Sequence, residues 1–216
     1  FLEHESSYGL QFRGNPNLQP EFMTAAEIGF KARRERNQAW FLNMFYNYYS
    51  NMIDFVYTIP VEAINRTNVE GSGLEFGFSN IVLPLKLGIM SMNYSYLQMK
   101  DMENNAPTLY RPRHKVKVGF EKQVRKINIR ISFNYKSPQQ YENFLSSDHP
   151  IIDNIVRFPI ETIPEISLVD LKVSKRISNI EMSLNINNIF NKDYVLIQHY
   201  PMPGKTWQIN LSKIIK

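Results

Sequence analysis

Apolar and polar residues alternate with a period of two along much of the chain. In residues 127–135 every odd position is apolar and every even position is polar. A helix would place Ile129 and Phe133 on the face opposite Ile131, whereas a strand places all three on one face. The stretch therefore predicts a strand with one wet face and one apolar face. The same alternation recurs at residues 28–32, 74–78, 116–120, 169–173, 180–186 and 207–211.

These stretches predict about nine strands. Residues 38–50 carry aromatic side chains at both odd and even positions. In residues 84–97 the alternation changes phase between Ile89 and Met90. A β-bulge would explain that phase change. The predicted strands are 24–33, 38–50, 68–79, 84–97, 114–122, 126–136, 165–175, 179–189 and 205–214.

The connections between the predicted strands alternate in length. Short polar connections at 32–37, 79–84, 122–126 and 175–179 alternate with long ones at 54–67, 98–113, 137–164 and 191–205. This pattern is typical of an antiparallel, up-and-down transmembrane β-barrel, whereas a soluble sandwich spaces its strands more evenly. In such a barrel the polar face lines the lumen. The charged residues predicted there are Lys117, Glu121, Arg130, Asp170, Lys172 and Glu181.

Composition and the start of the chain refine this all-β prediction. The 12 Tyr and 14 Phe suit the aromatic girdles of a membrane barrel. The chain begins at Phe1 with no signal-peptide pattern, and an odd strand number is unusual for a bacterial barrel. We therefore expect the last part of a larger barrel. The net charge of +5 is scattered, so nucleic acid is not an expected partner.

No residue pattern indicates catalysis or a cofactor. The absence of Cys excludes a disulfide framework and a thiolate site, and the four His residues share no ligand spacing. The glycines at 71–77 lie in a predicted strand and lack the spacing of a phosphate loop. Ser146, Asp148 and His149 are neighbours in sequence, whereas a triad is assembled by the fold. We expect no enzyme activity, no metal site and no cofactor.

Several short motifs occur in an order that closely resembles the barrel of TonB-dependent outer-membrane receptors, in their cobalamin and siderophore branch. The first motif includes Gly14, Asn15, Pro16, Leu18, Pro20 and Glu21, followed by Glu27 and Gly29. Later motifs are Phe45-Tyr46-Asn47 with Ile53-Asp54, Gly71 with Glu75, and Pro112 between two arginines. The closing motifs contain Asn188, Phe190, Tyr194, Pro203 and Gly204.

The resemblance implies that residues 1–216 are the C-terminal part of a roughly 22-stranded barrel with a plugged lumen. The plug domain and the TonB box would lie upstream and are absent from this chain. Short turns would face the periplasm and long loops the outside of the cell. The implied location is the outer membrane, and the implied partners are membrane lipid, the TonB complex acting through the plug, and a ferric siderophore, haem or cobalamin. The chain departs from the family in ending Ile214-Ile215-Lys216 and not on an aromatic residue, and in carrying Lys205 where Arg is common.

Candidate substrate contacts lie in the predicted outer loops. Arginine among aromatic residues suits an anionic chelate, which indicates Tyr110, Arg111, Arg113 and Tyr141. His149, also in a long outer loop, is a candidate contact for haem or a metal chelate. The motif residues named above are expected to be structural. Basic residues cluster at the short turns, where they solvate the turns or contact anionic lipid. They are Arg33, Arg34, Arg36, Lys122, Arg125, Lys126, Lys175 and Arg176.

Two other functions fit parts of the sequence. A complete small barrel, acting as a structural protein or passive pore, would need a tenth strand, for which residues 1–12 alternate at Tyr8, Leu10 and Phe12. A barrel enzyme, such as an outer-membrane lipase or protease, would need a catalytic cluster at one rim. The sequence shows no such cluster.

Overall fold

A computed structural model describes residues 12–34, 37–56, 61–65, 68–103, 106–143, 146, 151–152, 155–156 and 158–213. Their strands are β1 (Phe12–Arg13), β2 (Phe22–Arg34), β3 (Gln38–Ser50), β4 (Ile53–Val56), β5 (Val61–Asn65), β6 (Asn68–Val82), β7 (Ile89–Asp101), β8 (Ala106–Pro107), β9 (His114–Val124), β10 (Ile127–Lys136), β11 (Gln139–Glu142), β12 (Ile151–Ile152), β13 (Ile155–Val156), β14 (Ile160–Ile163), β15 (Ile166–Ile177), β16 (Ile180–Asn187), β17 (Val195–Ile197), β18 (Tyr200–Pro201) and β19 (Thr206–Lys213). A 3₁₀ turn spans Pro84–Lys86. In this described part of the chain, no helix has the length and apolar character needed to span a membrane.

Nine long strands form one antiparallel sheet in which each strand pairs with the next long strand along the chain. The order is β2-β3-β6-β7-β9-β10-β15-β16-β19, and the short β8 adds to β7. The predicted up-and-down topology and the count of nine long strands are confirmed. The sheet matches part of a barrel.

The strand register sorts side chains by polarity. Ile131 lies opposite Phe120 on β9 and Leu171 on β15, while Ser132 lies opposite Gly119 and Asp170. Because successive side chains point to opposite sides of a strand, the sheet has an apolar face and a polar face. The exposed side chains of the apolar face include Ile28, Phe30, Leu42, Met44, Phe76, Phe133, Met182, Trp207, Ile209 and Leu211.

Burial is concentrated at the end of the sheet that carries the long connections. The buried hydrophobic residues in the described ranges are Val61, Val69, Tyr141, Ile163 and Ile166. The rest of the sheet is a single layer that exposes large apolar side chains on one side. Such an extended apolar surface requires a partner other than water.

The structure corrects the predicted strand at 84–97. The strand begins at Ile89, because residues 83–88 form a turn closed by a 2.9 Å hydrogen bond from the Leu83 amide to the Gly88 carbonyl. Leu85 and Lys86 have φ values of 55° and 54°, which a strand does not permit. The phase change at Ile89 and Met90 therefore marks the start of the strand and not a bulge within it.

The irregularity in this part of the sheet lies on the neighbouring strand. Phe78 of β6 pairs with Met92, and the next pair joins Ile81 to Met90, so β6 carries one extra residue. Asn80, within that interval, has a φ of 57°. This is the geometry of a β-bulge.

The long connections contain short strands of their own. A three-stranded sheet is formed by β1, β5 and β4, and hairpins are formed by β11 with β14, β12 with β13 and β17 with β18. Residues 1–11, which would supply most of a tenth strand, lie outside the described residues. Phe12 pairs in parallel with Val61 in the small sheet and does not join the main one.

Candidate functional site

The motif at residues 14–21 ties the chain before β2 to the β4–β5 hairpin. The Asn15 side chain donates to the Ala63 carbonyl at 2.9 Å. Asn65 and Gln19 exchange two hydrogen bonds of 2.8 and 2.9 Å, and Glu21 accepts from the Ile53 amide at 3.1 Å. These contacts give the motif a structural anchor at the long-loop end. Its other residues are Gly14, Pro16, Leu18 and Pro20.

The motif residues on the next strands lie on the polar face. Glu27 lies opposite Phe45, and Gly29 lies opposite Asn43. Asn43 is also opposite Glu75, while Gly71 lies between Asn47 and Met99 on the two neighbouring strands. The glycines of β6 are thus part of the sheet, where they cannot form a phosphate loop.

Two of these glycines accommodate aromatic rings from β3. A Cβ atom at Gly73 would overlap the Phe45 ring, and one at Gly77 would lie 2.7 Å from Cε1 of Phe41. Both Phe rings therefore reach over the neighbouring strand on the polar face. The structure thus assigns Gly73 and Gly77 to packing within the sheet.

The closing motif is organised by Asn188, which is only 3% exposed. Its amide donates to Asp170 Oδ1 at 2.9 Å, and its side chain exchanges hydrogen bonds with the Lys192 backbone at 2.7 and 2.9 Å. Farther along, Asn191 Oδ1 accepts from the Lys205 amide at 2.8 Å. The Asn191 carboxamide fills the space that a side chain at position 204 would need, which explains Gly204.

The other residues of the closing motif differ in exposure. Phe190 is 75% exposed and takes little part in the packing of the loop. The Tyr194 carbonyl accepts a 3.0 Å hydrogen bond from Met202, beside Pro203. The motif therefore folds the long connection back on itself before β19.

Tyr141 is the most enclosed of the candidate substrate contacts. It is 2% exposed, and its hydroxyl donates to Glu161 at 2.5 Å, across the β11–β14 hairpin. Burial, reinforced by the Glu161 carboxylate, raises the pKa of Tyr141 to about 12. In this conformation Tyr141 supports the hairpin and does not present its ring to a ligand.

Tyr110 connects this hairpin to the preceding loop. Its ring centroid lies 6.2 Å from that of Tyr141, and its amide donates to the Gln140 carbonyl at 2.7 Å. Partial burial raises the pKa of Tyr110, with a smaller contribution from Glu142. The two tyrosines hold the loop before β9 against the β11–β14 hairpin.

The remaining candidates differ in placement. Arg111 and Arg113 are exposed on either side of the buried Pro112. The Arg113 carbonyl accepts from the Leu97 amide at 2.9 Å, so the backbone is fixed while the guanidinium group remains accessible. His149 lies outside the described residues.

A basic cavity at the long-loop end is not evident from the sequence alone. Its volume is about 490 Å³, and two lysines, Lys115 and Lys136, face each other across β9 and β10. Like charges placed directly opposite each other in a sheet are destabilising. No carboxylate lines the cavity within the described residues. The other lining residues are Tyr110, Pro112, Gln139, Leu196 and Ile197.

Positions 115 and 136 could have been paired from the sequence. The turn at Arg125 and Lys126 fixes a hairpin in which Val124 faces Ile127, and counting outward brings Lys115 opposite Lys136. The cavity itself could not be found this way. Its upper wall comes from Leu196 and Ile197, which a long connection brings back over the sheet.

The basic surface continues along the polar face. A second cavity of about 330 Å³ is lined by both lysines together with Lys117, Glu75 and Asn134. Three lysines and one carboxylate therefore line this cavity. The net positive charge suits a ligand that carries negative charge. Among the described residues no three His, Asp or Glu side chains form a metal-binding group.

The chain matches the model of a known family over residues 5–189, described as the TonB-dependent receptor-like β-barrel. It also resembles solved receptor structures. It shares 17% identity with the copper transporter OprC, covering 98% of this chain and 34% of OprC, with a TM-score of 0.71. It shares 18% identity with the siderophore receptor PirA from Acinetobacter baumannii. The match covers 94% of this chain and 33% of PirA, with a TM-score of 0.69.

A third similar structure is the pyoverdine outer-membrane receptor FpvA from Pseudomonas aeruginosa PAO1, bound to pyoverdine. The identity is 14%, the coverage is 92% of this chain and 30% of FpvA, and the TM-score is 0.74. The chain thus spans about a third of the length of these three proteins. At such identities the structures share the fold, and the match to the family model covers most of the chain. The chain belongs to the TonB-dependent receptor β-barrel family.

Proposed function

We propose that this chain forms part of an outer-membrane receptor that takes up a scarce nutrient by a TonB-dependent mechanism. The apolar face would contact lipid, and the polar face would line the lumen. The long loops would then face the outside of the cell. TonB would act on this receptor through a plug domain.

The observation that carries the proposal is the basic cavity, located where the long connections meet the polar face of a receptor-family sheet. Lys115 and Lys136 lie side by side there, and none of the described residues that line the cavity is a carboxylate. An anion bound between them would remove their mutual repulsion. Substrate binding would therefore stabilise the loop end of the barrel.

The expected substrate is a large, negatively charged nutrient. A ferric siderophore with carboxylate or catecholate groups, or haem with its propionates, fits two adjacent ammonium groups better than neutral cobalamin does. Exposed Arg111 and Arg113 at the same end would add to the attraction. No covalent step is required, because transport needs only different binding in a plug-closed and a plug-displaced state.

Uptake measurements test the proposal directly. Cells that express the receptor carrying this chain are given radioiron complexes of a catecholate and a hydroxamate siderophore, radioiron haem, and labelled cyanocobalamin. We expect TonB-dependent accumulation of at least one anionic iron complex. Accumulation that is unchanged in cells without TonB would contradict the mechanism and favour a passive pore. Accumulation of cyanocobalamin alone would contradict the substrate class while leaving the mechanism intact.

A further inference from the structure

Positive charge is distributed unequally between the two ends of the apolar face. Side chains on this face alternate with those of the polar face, so their position follows from the register. At the long-loop end Glu70 lies opposite Lys100, and the charges balance. At the short-turn end four basic residues occur on this face, and the described residues include no Asp or Glu there. They are Arg34, Lys122, Lys175 and Lys213, all exposed.

The polar face at the same end behaves differently. Arg130 forms an ion pair with Glu121, and Arg176 pairs with Glu181 at 2.8 Å. The acidic residues described near the short turns thus lie on the polar face, which also carries Lys31 and Arg33. On the side that carries the exposed apolar residues, the residues described near the short turns include basic side chains and no acidic ones.

The basic residues are embedded in apolar surface. Lys175 lies between Ile127 on β10 and Met182 on β16, which are 38% and 46% exposed. Lys122 lies opposite Ile129, and Lys213 lies opposite Ile180. A lysine in such a setting packs its aliphatic stem on apolar neighbours and extends its ammonium group to a polar boundary. The arrangement fits the boundary between acyl chains and headgroups.

We infer that Arg34, Lys122, Lys175 and Lys213, together with the turn residues Arg125 and Lys126, form a basic rim that binds anionic phospholipid. The apolar neighbours would contact acyl chains, and the ammonium and guanidinium groups would bind the headgroup phosphates. Charge complementarity selects this occupant, because a neutral apolar partner would leave the rim unpaired. The inference goes beyond substrate uptake and requires only that the apolar face meets lipid.

Lipid retention tests this inference. The receptor carrying this chain is reconstituted in vesicles of phosphatidylethanolamine and phosphatidylglycerol, extracted gently, and its bound lipids are quantified by mass spectrometry. We expect the wild type to retain phosphatidylglycerol in excess over its share of the vesicle. Each basic residue near an anionic surface strengthens partitioning by about fivefold. The triple variant K122Q/K175Q/K213Q should therefore lower the excess at least about fivefold.

Matched variants make the outcome specific. K115Q/K117Q/K136Q removes the same charge from the polar face at the opposite end and should keep the excess. K122R/K175R/K213R keeps the charge at the rim and should also keep it. A wild-type receptor without phosphatidylglycerol excess overturns the inference, whatever the variants do. Equal losses in both glutamine variants would also overturn it, because they would show an effect of net charge alone. Retention of the same excess by K122Q/K175Q/K213Q would exclude the rim as the binding surface.

Discussion

The ring of Phe45 on β3 lies across Gly73 on β6, in the space that a side chain at position 73 would occupy. The Tyr96 carbonyl closes the other side, only 2.5 Å from the position of an added Cβ. Because one of these neighbours is backbone, rotation of the Phe ring alone cannot make room. The pair therefore fixes how closely β3, β6 and β7 approach one another.

Gly73→Ala is expected to destabilise the receptor by about 1–3 kcal/mol, the usual cost of overpacking. The measurement is urea unfolding of the reconstituted receptor, followed by the mobility difference between heated and unheated samples on gels. Gly119→Ala is the matched control. Gly119 also lies on the polar face, and a Cβ atom added there would have no neighbouring atom within 4 Å. Equal stability of the two variants would contradict the packing described for Phe45.

Asn188 is expected to be required for the closing loop. Its side chain satisfies two backbone groups of Lys192, and its φ of 50° is one that Asn tolerates better than Ala. Asn188→Ala should therefore cost about 1–3 kcal/mol through the unsatisfied groups. Folded receptor in outer-membrane fractions should decrease. Asn187→Ala, at an exposed neighbouring position, is the control and should leave the level unchanged. Normal folded levels of Asn188→Ala would refute the role.

The Tyr141–Glu161 hydrogen bond predicts a pH-dependent β11–β14 hairpin. The bond from Tyr141, with a second one from Asn143, lowers the pKa of Glu161 below its ordinary value of 4.5. A lowered carboxyl pKa contributes stability above the ordinary value, and that stability is lost as the pH falls through the lowered one. The raised pKa of Tyr141 has its effect at alkaline pH. Its contribution to stability is present below pH 10.0 and is lost as the pH rises through about 12.

Hydrogen exchange of β11 and β14 amides, corrected for intrinsic rates, measures this effect. Protection should be constant near neutral pH and should fall as the pH drops below 4.5. Glu161→Gln and Tyr141→Phe should each lower protection at neutral pH and weaken its dependence on acid. Glu165→Gln, at an exposed position just before β15, should behave as the wild type. An acid response of unchanged size in Tyr141→Phe would locate its origin elsewhere.

The lysine cavity predicts a loss of substrate affinity without a loss of folding. In K115Q/K136Q the repulsion between two like charges disappears, so stability should be unchanged or slightly higher. Affinity for the accumulated anionic iron complex should fall about tenfold or more, because charge-assisted hydrogen bonds are lost. Lys31→Gln, on the same polar face but distant in register, is the control. Unchanged affinity of K115Q/K136Q would remove the cavity from the binding site.

The periodic part of the fold could be predicted from the sequence because strand alternation is local. Residues 127–135 alone specify which side chains share a face, and the short turn at Arg125 and Lys126 specifies their partners. The prediction was wrong at Pro84–Lys86, where local positive φ values and a proline override the apolar pattern. The apolar residues there belong to an exposed turn and not to a strand.

The candidate site was harder to predict because it depends on contacts between distant segments. The sequence places Tyr141 in an outer loop as a candidate substrate contact, but Glu161, twenty positions later, accepts its hydroxyl hydrogen bond. Likewise, Gln139 donates to the Leu196 carbonyl at 3.0 Å, and this contact closes the cavity above Lys115. Contacts between loop residues so far apart in sequence cannot be predicted from a local pattern.

The sheet is expected to span the membrane, with one face toward lipid and one toward the lumen. Because the chain has no Cys, a single introduced thiol reports one position within it. Spin labels are placed in turn at positions 128–134 of β10 in the reconstituted receptor, and their collisions with oxygen and with a water-soluble nickel chelate are measured. The account predicts that labels at 129, 131 and 133 respond to oxygen and labels at 128, 130, 132 and 134 to nickel. Equal accessibility of both sets to nickel would contradict it.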